Sequence, residues 1–158
     1  MIDLHLHFDG SLLPRTVLEL ADEQGIRLPA REPDELKLFL TAPADCESLN
    51  EYLEKFDLPL LVLQTKEAIR KGMYTLASSL KEQGMLYAEI RFAPQLHTKK
   101  GLTQDQVVKA AILGLQEALA GSFFKAKLIL CCMRGTDNLE ENLLTVRTAA
   151  AYLGRGVA

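Results

Sequence analysis

The chain has 158 residues, room for one domain or a piece of a larger one, and its 48% hydrophobic and 25% charged content excludes a disordered or low-complexity protein. Eighteen basic against 21 acidic residues leave a net charge of −3, which argues against a nucleic-acid or polybasic membrane partner, since phosphate binding needs a concentrated cationic face. No apolar run approaches the ~18 residues of a membrane span, and the opening MIDLHLHFDG has Asp and His where a secretion signal needs a basic and then an apolar stretch, so the expected location is cytoplasmic.

Residues 2–7 alternate, with Ile2, Leu4 and Leu6 on one face and Asp3, His5 and His7 on the other, which predicts a strand. Gly10 and Ser11 break it, and Pro14 suits the first turn of a helix to about Gln24. Residues 30–47 are mixed and polar, with a short helix expected around 34–40. Ser48 can cap a helix through Phe56, Pro59 should interrupt, and Thr65 can cap a further helix to about Gln83, closed by Gly84. Residues 86–92 alternate again as a second strand. Thr103 and Gln106 have the spacing of a capping box for a helix to about Leu119. Residues 127–132 predict a third strand, and a last helix runs from Asn138 to Gly154. Of the three cysteines, Cys131 and Cys132 are adjacent in that third strand and Cys46 stands alone; buried, reduced thiols are expected rather than a disulfide framework or a zinc knuckle. Strands separated by helices imply a parallel sheet. The helical stretch between the first two strands is far longer than a crossover requires, so it is expected to cover something.

The strongest chemical feature is His5-Leu6-His7-Phe8-Asp9-Gly10-Ser11. Two histidines two apart on a strand share a face, with Cα atoms roughly 6–7 Å apart, and both imidazoles can reach one metal at ~2.0–2.1 Å. They lie at the C-terminal end of the strand, where barrel enzymes place their active sites. Spacing alone leaves two polar residues on a half-exposed strand as the alternative. Asp9 is either a turn former or a carboxylate for a ligand hydroxyl. Leu49, Tyr52, Leu53 and Phe56 recur at helical spacing; periodicity favours a stripe packed on the core over a lid on a pocket. Glu89 and Arg91 share a strand face, as an internal ion pair or as surface charges. His97, in a loop, reads as solvated and not as a ligand. No phosphate-cradling glycine motif or nucleophile elbow is present.

The segments DLHLHFDGSL (3–12), SLNEYLEKFDLPLLVLQT (48–65), LYAEIRFAPQLHTKKGLT (86–103) and KLILCCMRG (127–135) together resemble the N-terminal part of the adenosine deaminase family, bacterial type. The resemblance implies an α/β fold, the N-terminal part of a (β/α)8 TIM barrel: one partial domain over residues 1–158 with three β/α units and a helical insert and lid region over 11–84. It also implies hydrolytic deamination of adenosine and 2′-deoxyadenosine to inosine and ammonia, with one Zn2+ activating the attacking water. His5 and His7 match metal ligands. His7, Asp9, Leu49, Tyr52, Leu53, Phe56 and Met133 match substrate-binding positions, Asp9 at the ribose 5′-hydroxyl, the four helical residues in a lid and Met133 near the purine. No catalytic residue is assigned here, because the acid–base Glu, a third zinc His and an Asp ligand are expected beyond residue 158.

The expected partner is a small-molecule purine nucleoside. An incomplete barrel is also expected to self-associate or to pair with the missing C-terminal half, and the isolated chain to be inactive. Two other readings remain open, a non-catalytic half-barrel binding or scaffold module and a different HxH metal hydrolase.

Overall fold

A computed structural model of the chain describes every residue except Ala44, Glu47 and Thr136. In chain order the elements are β1 (Ile2–His7), α1 (Pro14–Gln24), α2 (Pro33–Leu40), α3 (Leu49–Glu54), α4 (Asp57–Val62), α5 (Lys66–Glu82), β2 (Tyr87–Phe92), α6 (Gln104–Leu119), β3 (Lys125–Leu130) and α7 (Leu139–Tyr152). Short 3-10 turns, Asp9–Ser11 and Pro94–His97, leave the ends of β1 and β2. The three strands pair in parallel in the order β1-β2-β3.

Local chemistry sets most helix boundaries. Thr103 and Gln106 form the expected capping box, each side chain satisfying the other's backbone N–H. Ser48 and Thr65 accept from the N–H groups of Glu51 and Ala68. Three local readings are corrected. Pro59 does not interrupt a helix but lies in the first turn of α4, where no backbone donor is required. β3 runs two residues earlier than expected, because Lys125 and Lys127 pair with Tyr87 and Glu89 and the ladder ends at Phe92–Leu130. Consequently Cys131 and Cys132 follow the strand; Cys131 and Cys46 are half-buried and Cys132 is exposed, all with free thiols.

The core lies on one side of the sheet. Ala88, Ile90, Phe92 and Leu128 point there and are covered by α5 and α6, with Met73, Ala77, Val107, Val108 and Ala111 among the fully buried side chains. The two helices meet at Gly114 of α6, where even a methyl group would run into the Arg70 carbonyl oxygen. An Arg70–Glu117 ion pair spans the same contact near its solvent edge.

The alternation read in residues 2–7 fails in an informative way. Ile2 pairs with Tyr87 and Asp3 with Ala88, but Leu6 pairs with Ile90 and His7 with Arg91. Three steps along β1 thus match two along β2, a bulge. The Asp3 carboxylate accepts from the displaced His5 N–H at 2.8 Å. Ile2 therefore shares a face with His7, Tyr87 and Arg91, away from the helices. Ile2 and Leu4, on the apolar face read from the alternation, are 63% and 58% exposed: β1 is an edge strand whose flank no described helix covers. At the other edge, Leu128 forms a parallel bridge with Val157, and the chain there runs alongside β3.

Candidate functional site

The bulge returns β1 to phase so that His7 ends the strand opposite Arg91, on the face away from the core. The His5 and His7 rings lie on that face with centroids 5.4 Å apart. Immediately afterwards the 3-10 turn folds Asp9 inward, where it is buried and accepts from the Gly10 N–H at 3.1 Å. Phe56 closes over this turn. Its ring sits edge-on to His7 at 6.1 Å and against Tyr52 at 5.6 Å. Gly10 permits that approach, since a Cβ there would come within 2.8 Å of the Phe56 ring.

Electrostatics at the strand mouth favour uncharged groups. Burial raises the Asp9 carboxyl above its ordinary range despite opposition from His7 and two backbone N–H groups. Loss of water lowers His7 below 6.5, with His5 and the Arg91 guanidinium acting in the same direction and Asp9 against it. A neutral imidazole is the form that ligates metals. Arg91 does not pair with Glu89, which instead accepts from the Tyr87 hydroxyl at 3.1 Å. Arg91 Nη1 lies 2.9 Å from Nδ1 and 2.8 Å from Nε2 of His5.

His7 and Asp9 open into a pocket of about 360 Å3, whose lining includes neither His5 nor Arg91. His7 and Asp9 form its polar end, Tyr52, Leu53 and Phe56 one wall, and Cys131 and Met133 the far side. Sequence reasoning missed Leu60, Phe92, Ala93, Leu96 and Cys131, which complete the lining. Ala93 and Cys131 directly follow the C-terminal ends of β2 and β3, a position that marks site residues in barrels. Leu49 does not belong with them: it begins α3, is 71% exposed and touches no part of the pocket. The other three residues of that stripe are not core either; they face the pocket, with Tyr52 and Leu53 about half exposed. Beyond Tyr52 and Phe56 a second cavity of about 440 Å3 shares Asp9 and is bordered by Ser11, Lys37 and Lys55. His97 is the largest departure from expectation. It is not solvated but completely buried, its ring between Phe8 and Phe92 at centroid distances of 6.2 and 5.6 Å.

The family model for adenosine deaminase matches residues 1–158. The chain belongs to the adenosine deaminase family. Among its relatives, an adenosine deaminase of Haemophilus ducreyi is 52% identical over 154 residues, covering 97% of this chain and 45% of the relative. An adenine deaminase structure from Arthrobacter aurescens is 27% identical with a TM-score of 0.73, covering 99% of this chain and 46% of its own. A zinc-bound amidohydrolase from Burkholderia ambifaria shares the fold at 18% identity and a TM-score of 0.77, covering 99% and 42%. The chain therefore spans about half the length of the adenosine deaminases it matches, and its three parallel β/α units are the N-terminal part of a (β/α)8 barrel.

Proposed function

We propose that this chain carries the substrate-entry side of a site for hydrolytic deamination of adenosine and 2′-deoxyadenosine. One observation carries the reading: His7 and Asp9 meet at the mouth of β1, beneath Phe56 and Tyr52, on a largely apolar pocket of about 360 Å3, with the His5 ring beside His7 but outside the pocket lining. That is the combination a nucleoside needs, apolar walls for the base and a buried carboxyl for a ribose hydroxyl. Asp9 holds the 5′-hydroxyl, Phe56, Tyr52 and Leu53 exclude water from above, and Met133 borders the base; Leu49 contributes no contact.

His5 and His7 fit part of a zinc site. Their rings face the same space and His7 favours its neutral form. Among the described residues, however, no group of three His, Cys, Asp or Glu is close enough to hold a metal, and catalytic zinc takes three protein ligands. Arg91 also places a cation against His5. The third ligand and the acid–base group belong to the remainder of the barrel. A zinc ion held there supplies a water of lowered pKa, and the residues of this chain orient the nucleoside toward it.

The Arg91 cation set against His5 favours a second reading, a half-barrel that binds without catalysis. Calorimetric titration with adenosine tests the site itself. Binding that weakens in Asp9→Asn and Phe56→Ala supports it; equal binding in both variants, or none in the native chain, overturns it. The exposed Ile2 and Leu4 of the β1 edge further support self-association or pairing with a complementary half-barrel. Among the described residues no helix is long and apolar enough to cross a membrane.

A further inference from the structure

Two buried polar side chains behind the pocket have no place in the reading above. Gln64 is 3% exposed and His97 fully buried, and neither lines the cavity. Gln64 Nε2 donates to the carbonyl of Leu60 at 2.7 Å and to that of Leu96 at 2.9 Å, while its Oε1 accepts from the Lys99 N–H at 2.9 Å. His97 Nδ1 donates to the Leu63 carbonyl at 2.9 Å. Leu60 and Leu96 both line the pocket, although one lies on α4 and the other in the turn after β2.

We propose that Gln64 and His97 are positioning residues that fix the Leu60–Leu96 wall of the pocket without touching its contents. One amide group holds both carbonyls, so the two leucines cannot separate without breaking a bond in a place water does not reach. Both donors and the acceptor of Gln64 are occupied, which leaves it no alternative arrangement. At position 97 an apolar side chain would fill the space between Phe8 and Phe92 with no orphan atom, yet the imidazole leaves Nε2 buried without a partner. Such an orphan is costly, and what the imidazole contributes in return is the bond to Leu63, one residue from Gln64. The two side chains thus join the end of α4 to the exit of β2. Because α4 directly follows Phe56, they also set the base from which Phe56 reaches His7.

The proposal rests on the nucleoside reading only for the identity of the ligand, and the test separates the two. The full chain and its Gln64→Met, His97→Leu and His97→Asn variants, each checked for cooperative urea unfolding, are titrated with adenosine. His97→Leu is expected to weaken binding by about tenfold, the size of one lost buried hydrogen bond, and Gln64→Met, which loses three, by at least as much. His97→Asn, whose amide can replace the Nδ1 donor, is expected to stay within about threefold. Without ligand, leucine methyl NMR of the same variants is expected to show Leu60 and Leu96 shifted and the distant, exposed Leu113 unmoved. Folded Gln64→Met and His97→Leu proteins with native affinity and native Leu60 and Leu96 signals overturn the proposal, as does a His97→Asn protein as impaired as His97→Leu. If the native chain fails to bind adenosine, the nucleoside reading falls and the ligand-free methyl spectra alone decide the positioning role.

Discussion

The burial of His97 makes the fold acid-sensitive by an amount that can be worked out in advance. Its imidazole lies between two phenylalanine rings with one nitrogen unpartnered. Burial lowers its pKa from 6.5 to about 4, only partly opposed by the bond to Leu63, with Lys99 adding slightly to the fall. In the unfolded chain the same group titrates near 6.5. The unfolded state therefore binds more protons between these values, and stability must fall as pH drops through that window. It is unaffected above about pH 7, where both states are neutral. The full effect is (6.5 − 4) × 1.36, about 3 kcal/mol, of which about 2.5 kcal/mol is lost by pH 4.5. That is a large share of the ~5–15 kcal/mol that holds a domain together. Urea unfolding from pH 7.5 to 4.5 on the native chain and on His97→Asn isolates the contribution, because every other titrating group is common to both. Asp9 is among them, and its raised pKa acts in the opposite sense, stabilising most below 3.8 and losing that contribution as pH rises through the folded value. The native curve should fall more steeply below pH 6.5, and the His97 ring signals should not titrate before about pH 5. Parallel curves would refute the reasoning.

The isolated chain with adenosine and zinc should give no ultraviolet change toward inosine; turnover of ~1–1000 per second would show that the remainder of the barrel is dispensable. Zinc binding should be weak, should fall further in His5→Ala and in His7→Ala, and should tighten in Arg91→Gln, which removes the cation beside His5; unchanged affinity in all three would place the metal elsewhere. Gly114→Ala should destabilise the chain by about 2–3 kcal/mol through its clash with the Arg70 carbonyl, whereas helix propensity alone gives a gain of ~1 kcal/mol, so the sign of the change in urea midpoint decides between them. Light scattering over a hundredfold concentration range should show mass rising above the 17.5 kDa of one chain; a constant monomer mass would mean that the β1 edge is not sticky.

The parts of the molecule specified by neighbouring residues were legible in the sequence. The capping pair Thr103 and Gln106, the caps at Ser48 and Thr65, and the order of strands and helices all follow from short-range chemistry. The grouping of His5, His7 and Asp9 was legible too, because strand spacing and a turn suffice to bring them together. The unread features depend on distant partners. Nothing near His97 announces that Phe8 and Phe92 will enclose it. The start of β3 is set by Tyr87 across the sheet rather than by the charged pair Lys125 and Lys127. The stripe over 49–56 has the period of a core-facing helix, but only the fold shows that α3 ends at Glu54, before Phe56, and that Tyr52, Leu53 and Phe56 face a cavity while Leu49 points to water.

The bulge in β1 makes the strand's tolerance of length changes lopsided. Leu4 and His5 together stand opposite a single residue, so removal of Leu4 would let the two paired segments rejoin in unbroken register. Leu6 would still face Ile90 and His7 would still face Arg91. A deletion or insertion between Leu6 and Phe8 has no such slack, and would rotate either the second histidine or the buried Phe8 onto the opposite side of the sheet. Length variation among related chains should therefore gather before the first histidine of the motif and be absent after it, even though both stretches belong to one six-residue strand.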